Sequence, residues 1–240
     1  MKIYFFDTET TGNTTTDYLC QLAVKEQGVA EPVVNAMYKP PVPIPFECSM
    51  IHHISNKMVA DKPLFKGAPE YTSIKTLFES PDTIVVAHNA AFDEQILKND
   101  DITSTNIICT FKVIRALDSE MKFPMHKLQY LRYALGMELD VPAHDAFADV
   151  LVLEQLFAYC LAQAQEKWSM NEKQAITEMM RITSEPITFK TIPFGKYNGK
   201  TVAEVAATDR GYLEWLLKQK RESPQNETDW IYTLEKALER

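Results

Sequence analysis

His144, Asp145 and Asp149 stand at the head of an apolar-periodic run that ends near Trp168. A histidine five residues before an aspartate, with small or apolar residues after Asp145, places His144 in the loop entering a helix and Asp149 in its first turns. Asp7 and Glu9 close the first apolar run of the chain, KIYFFDTE. Side chains alternate along a strand, so these two carboxylates share one face and Thr8 takes the other. Adjacent acids in a core strand repel and are costly to desolvate unless a cation lies between them. Asp93 follows the apolar run Thr83 to Ala87 and the sequence His88-Asn89. That sets it in the first turn of a helix at the end of a central strand, where open α/β sheets build their sites and where the helix favours an anion. Each of these acids alone is ordinary; a D-x-E pair is common by chance. Together, four carboxylates and a histidine fit metal-assisted phosphodiester hydrolysis. Hard oxygen ligands suit Mg²⁺ or Mn²⁺. A pair of such ions helps both to activate water and to stabilise the leaving 3′ oxygen. A histidine can take the proton from the attacking water.

The elements that must position these residues follow from the pattern. Residues 2–9, 18–26 and 33–39 read as three strands, the third ending at Pro40, Pro41, Pro43 and Pro45. That proline-rich stretch is read as extended loop, in preference to a polyproline ligand. Ser55 is placed to cap a short helix, and residues 68–79 have helical spacing of Tyr71, Ile74, Leu77 and Phe78. Residues 83–87 read as a strand buried on both faces. Beyond it come a helix carrying Asp93, a short strand and helix over 106–117, a helix over 126–136 and a long helix over 145–166. The order predicts a mixed sheet, its first three strands antiparallel, with helices packed on it. After Trp168 a helix over 170–182 and Ser184-Glu185-Pro186 lead to a second unit. There Phe189 to Phe194 and Lys200 to Val202 flank Asn198-Gly199, a strong hairpin signal. Helices follow over 201–207 and 211–220.

The chain has 240 residues, 45% hydrophobic and 24% charged, which is enough for one ordinary domain and a small one. The run Ile3 to Phe6 is too short for a signal-peptide core or a membrane span, and a soluble cytoplasmic protein without a membrane partner is expected. Cys20, Cys48, Cys109 and Cys160 form no C-x-x-C pair, so they read as small buried apolar residues. A net charge of −8 argues against tight non-specific binding to a nucleic-acid backbone. Yet residues 187–222 carry a net +3, and the N-terminal acidity is in part what a metal site requires.

Asp7-Thr8-Glu9-Thr10-Thr11-Gly12, His88-Asn89-Ala90-x-Phe92-Asp93 and His144-x-Ala146-x-x-Asp149 resemble, in order and context, the three motifs of the DEDDh 3′→5′ exonucleases. The likeness covers about residues 1–165, and His144 selects the histidine branch. Phe194-Gly195-Lys196-Tyr197-x-Gly199-Lys200, Glu204-Val205, Asp209, Gly211-Tyr212-Leu213 and Trp215-Leu216 look like the C-terminal segment of the exonuclease X group. Ile51-His52-x-Ile54 and Met58 to Pro63 resemble that group's substrate-proximal loop. One departure is His53, where the wider family often has glycine.

The resemblance implies a ribonuclease-H-like α/β exonuclease domain over 1–165, a helical linker over 166–187 and a small α+β accessory domain over 188–240. It implies hydrolysis of DNA from a free 3′ end to nucleoside 5′-monophosphates, in repair or proofreading, with two Mg²⁺ or Mn²⁺ ions. Carried over residue by residue, Asp7, Glu9 and Asp149 are metal ligands, with Asp7 bridging. Asp93 acts largely through water, and His144 is the general base. Thr10, His52 and Asn89 hold the terminal nucleotide, while His53, His88 and His126 are structural. Lys196 and Lys200 flank the hairpin tip as candidate phosphate contacts, with Tyr197 between them for stacking. Tyr212, Leu213, Trp215 and Leu216 are expected to form the accessory domain's own core. Two other readings stay open: an RNA-processing exonuclease of the same family, since discrimination rests on the 2′ position, and a non-catalytic protein that binds nucleic-acid ends. Whether the chain forms a homodimer is also open.

Overall fold

The computed structural model describes residues 1–14, 16–139, 144–222 and 227–239. They divide into two units, Met1–Thr183 and Ser184–Arg240.

The first unit is built on a five-stranded sheet ordered β3-β2-β1-β4-β5. Its strands are β1 (Lys2–Thr10), β2 (Leu19–Glu26), β3 (Val34–Met37), β4 (Thr83–Ala87) and β5 (Ile107–Cys109). β1 pairs antiparallel with β2, and β2 with β3. β4 runs parallel to β1 and to β5. The sheet is therefore mixed, with its first three strands antiparallel as the pattern predicts. The parallel strands need crossovers, which helices supply. The helices of this unit are α1 (Phe46–His52), α2 (Asn56–Val59), α3 (Tyr71–Glu79), α4 (Ala91–Asn99), α5 (Thr110–Leu117), α6 (Leu128–Ala134), α7 (Ala146–Trp168) and α8 (Glu172–Ser184).

Alternation along β1 and β4 sorts the core into two layers. Tyr4, Phe6, Val85 and Ala87 face Ile74 and Phe78 of α3 and Ile96 and Leu97 of α4. Ile3, Phe5, Ile84 and Val86 face Val150, Leu153, Leu156 and Phe157 of α7. Phe5 meets Phe157 edge to face at 5.4 Å between ring centres, so the inner face of α7 is locked against the strand that carries Asp7 and Glu9. By length and composition α7 is apolar enough to cross a membrane, with mean hydropathy 1.3. Ten of its residues, however, are buried in the protein; it is the central helix of this core.

Helix α8 lies where the sequence suggests a linker, and its Met179 and Ile182 join the core beneath α7. Thr183 Oγ1 accepts from the Cys109 amide at 2.8 Å, tying the end of α8 to β5. The apolar spacing of Ile176, Met179, Met180 and Ile182 is what a core-packed helix requires.

The second unit has its own core of Ile192, Val202, Val205, Leu213, Leu216, Leu217, Trp230 and Leu234. These come from α9 (Val202–Thr208), α10 (Arg210–Glu222) and α11 (Thr228–Leu238); the last helix was not anticipated. The anticipated hairpin is reduced to one antiparallel bridge, Thr191 to Thr201. Its tip is a type II turn in place of a primed one. Asn198 has φ −53° and ψ 126°, Gly199 has φ +82°, and the Lys200 amide bonds the Tyr197 carbonyl at 3.0 Å, the pattern of a type II turn that needs glycine third. Trp215, expected in the core, is 54% exposed.

Candidate active site

The β1 register places Asp7 opposite Ala23 and Glu9 opposite Gln21. Both acids thus lie on the face that α7 covers. The ladder shifts between Glu9 and Thr10, so β1 ends its regular pairing where the site begins. Helix α7 starts at Asp145, whose side chain caps it by accepting from the Ala148 amide at 3.0 Å. Its other oxygen accepts from Gln21 Nε2 at 3.2 Å, and Gln21 Oε1 accepts from the Ala146 amide at 3.5 Å. β2 therefore grips the first turn of α7 and sets the depth of Asp149.

Carboxylate oxygens of Asp7, Glu9 and Asp149 come within 4.8 Å of one another. Asp93 is adjacent but held apart: it is buried, and its Oδ1 accepts from Thr8 Oγ1 at 2.6 Å. Thr8 points to the opposite face from Asp7 and Glu9, so Asp93 approaches β1 from the α4 side. Asp149 Oδ1 accepts from Gln129 Nε2 of α6, and Arg132 Nη1 donates to Gln129 Oε1 at 3.3 Å.

The electrostatics follow from this crowding. Burial, then the charges of Asp93, Asp149 and Glu9, hold the Asp7 carboxyl well above the usual range. Burial and Asp149 push Glu9 up to about 8. Burial raises Asp93 to about 7, against the opposing hydrogen bond from Thr8. Burial also raises Asp149, while Gln129 and the neighbouring His144 pull it back. Such a set is unfavourable in its ionised form without a counter-charge. All-oxygen donors at this spacing fit a hard divalent cation, so the residues present suit the metal that their chemistry implies.

His144 is exposed and adopts a left-handed backbone, φ 59°, immediately before the Asp145 cap. Asn89, also exposed, has φ 65° in the turn from β4 to α4, a conformation asparagine tolerates better than most residues. Thr10 is buried, with its hydroxyl on the Gly12 carbonyl. His52 is 6% exposed, its Nδ1 accepts from the Ile54 amide at 3.1 Å and Nε2 donates to the Thr10 carbonyl at 3.2 Å. Both ring nitrogens are engaged inside the protein, where His52 braces the Thr10 loop. His88 is likewise internal, between the Thr110 hydroxyl at 2.9 Å and the His126 carbonyl at 2.7 Å.

Lys196 and Lys200, in the second unit, are exposed. Lys196 pairs with Asp209 at 3.1 Å and lies 4.8 Å from the Tyr197 ring centre. The residues that sequence reasoning missed are the supports: Thr8, Gln21, Gln129 and Arg132. Only Asp145, three residues before the amide it caps, left a local signal.

Residues 4–157 match the family described as Exonuclease, and residues 192–221 match the family described as Exodeoxyribonuclease X-like C-terminal. Exodeoxyribonuclease 10 of Escherichia coli K12 is 31% identical over 192 residues, 77% of each chain. DNA polymerase III subunit epsilon of Treponema pallidum is 29% identical over 168 residues, 65% of this chain and 75% of that one. Among solved structures, exonuclease X in complex with 5′-overhanging duplex DNA aligns with a TM-score of 0.57 at 24% identity, over 75% of this chain and 99% of that one. Escherichia coli exonuclease I with a dA16 oligonucleotide aligns with a TM-score of 0.55 at 20% identity, over 74% and 42%. The carboxylate-lined end of β1 thus sits on a ribonuclease-H-like scaffold, and the chain belongs to the exonuclease family, whose members are divalent-metal-dependent enzymes.

Proposed function

We propose that the chain hydrolyses DNA from a 3′ end, releasing nucleoside 5′-monophosphates. The observation that carries this reading is the cluster of Asp7, Glu9 and Asp149 oxygens within 4.8 Å, with His144 at the entrance to the helix that bears Asp149. The DNA substrate is supported by the likeness to exodeoxyribonuclease 10.

Asp7, Glu9 and Asp149 would hold two Mg²⁺ or Mn²⁺ ions, with Asp93 acting through water from its place beside Thr8. Bound there, such cations supply Lewis acidity and positive charge at the scissile phosphate. His144, exposed next to the acids, takes the proton of the attacking water, a task that a carboxylate bound to metal does poorly. His144 has a left-handed backbone, and the Asp145 cap keeps the start of the helix that follows it fixed. Thr10 and Asn89 line the approach for the terminal nucleotide, with His52 holding Thr10 in place.

The test uses matched single-stranded DNA and RNA oligonucleotides labelled at the 5′ end, with Mg²⁺ and with EDTA. A metal-dependent ladder that shortens from the 3′ end, faster on DNA, is expected. Faster shortening of RNA would instead make the chain an RNA-processing enzyme, and binding without shortening would make it an end-binding protein. His144→Ala is expected to slow hydrolysis by roughly 10²–10⁴-fold while substrate binding persists. Asp149→Ala is expected to remove activity and weaken metal binding while the fold remains.

A further inference from the structure

The F-G-K-Y-x-G-K turn and the outer face of α10 belong to the second unit, and one carboxylate organises them. Asp209 gathers them: its Oδ2 accepts from Tyr197 Oη at 2.7 Å and Lys196 Nζ at 3.1 Å, and its Oδ1 accepts from the Tyr212 amide at 3.1 Å. Gly195, at φ +63°, leaves room for the Tyr212 hydroxyl, which a Cβ there would meet at 3.2 Å. The result is a row of three rings. Tyr197 meets Tyr212 at 4.9 Å, and Tyr212 meets Trp215 at 5.6 Å. The row ends at an indole that is 54% exposed, while Leu213, Leu216 and Leu217 on the other side of α10 fill the core.

We propose that Tyr197, Tyr212 and Trp215, with Lys196 and Lys218, form a stacking platform for single-stranded nucleic acid. The proposal rests on the nuclease reading above for its choice of nucleic acid over protein. A core role alone does not account for Trp215, because more than half of the indole stays in water. Trp215 offers a half-exposed indole to a base, with Tyr212 tilted by 39° against it and Tyr197 set edge-on behind Tyr212 as its support, and such stacking tolerates any base sequence. The charge agrees: in a chain of net −8, residues 187–222 carry +3. Lys196 borders the Tyr197 ring, and Lys218 follows Trp215 by three residues on the same helical face. Their carboxylate neighbours, Asp209 at 3.1 Å and Glu222 at 4.0 Å, are ones from which a phosphate can draw the exposed ammonium groups.

The experiment measures binding of a fluorescein-labelled 20-nucleotide oligo(dT) to the full chain in EDTA, so that no turnover occurs. Trp215→Ala is expected to weaken binding about tenfold or more, Trp215→Phe to restore most of it, and Lys218→Glu to weaken it severalfold with a shallower salt dependence. Oligo(dT) is expected to quench the indole fluorescence of the wild type. Circular dichroism melts check that each variant is folded; should Trp215→Ala unfold, Lys218→Glu alone decides. Unchanged affinity in these folded variants overturns the platform. So does self-association that depends on Trp215 while oligo(dT) affinity does not, which would make the face a contact between copies of the chain. A wild type that binds oligo(dT) through Trp215 but never hydrolyses DNA in Mg²⁺ would sink the nuclease reading and leave the platform standing.

Discussion

His53 ends helix α1 in the left-handed region at φ 60°, its amide bonded to the Ser49 carbonyl. Glycine takes that position at little cost, whereas a residue with a Cβ is strained there. His53→Gly is therefore expected to stabilise the protein by about 0.5–1 kcal/mol, read as a rise of about 1–3 °C in Tm. A fall in Tm would mean that the exposed imidazole makes a compensating contact. His88 makes a second prediction at this scale. Burial drops its imidazole from 6.5 to about 4 in the folded protein. Between those values the unfolded chain binds a proton that the folded chain refuses, so this contribution to stability is complete above pH 6.5 and is lost as pH falls toward 4. The full difference is on the order of 3 kcal/mol. Denaturant melts of wild type and His88→Gln at pH 7.5 and pH 5 are expected to converge at the lower pH. A gap that stayed constant would show that His88 titrates normally.

At the scale of elements, the decisive joint is the start of α7, where Asp145 caps the helix and takes Gln21 across from β2. Asp145→Ala removes both bonds. It is expected to cost about 0.5–2 kcal/mol as a lost cap and to lower kcat about 10- to 100-fold, because Asp149 loses its fixed depth. Thermal melts and steady-state hydrolysis check the two parts; normal kcat with lowered Tm would reduce Asp145 to a structural cap. The order of elements along the chain, the mixed sheet and the helices bearing Asp93 and Asp149 were legible because each element leaves a local trace: a period of two or 3.6, a cap, a turn residue. The gathering of Asp7, Glu9 and Asp149 was legible because acids at strand and helix ends are unusual together. What was hidden is long-range. Gln21 meets Asp145 across 124 positions, and Thr8 meets Asp93 across 85; no local pattern marks either. The bond from His52 to Thr10 was hidden for the same reason, since its partner lies 42 residues away. Trp215 escaped because helical spacing alone does not separate a core face from a half-exposed one.

At the scale of the molecule, two separate cores imply two thermal responses. The acids at the end of β1 belong wholly to the first unit, and their repulsion is a cost that this unit carries when metal is absent. A divalent cation that binds the folded site and not the unfolded chain stabilises by about 2.7 kcal/mol at a hundredfold excess over its Kd. The second unit gains nothing directly, for its core and its Asp209 cluster hold no comparable set of acids among the described residues. Calorimetric scans in EDTA and in saturating Mn²⁺ are therefore expected to differ in one transition only, that of the first unit. Glu9→Gln separates the charge effect from mere ion binding. Burial and Asp149 already hold Glu9 up to about 8, so the neutral side chain is expected to raise the first transition in EDTA while abolishing most of its response to Mn²⁺. A variant that melts earlier in EDTA would mean that Glu9 serves the metal-free fold. A cation shift that survives intact in Glu9→Gln would place the ion elsewhere.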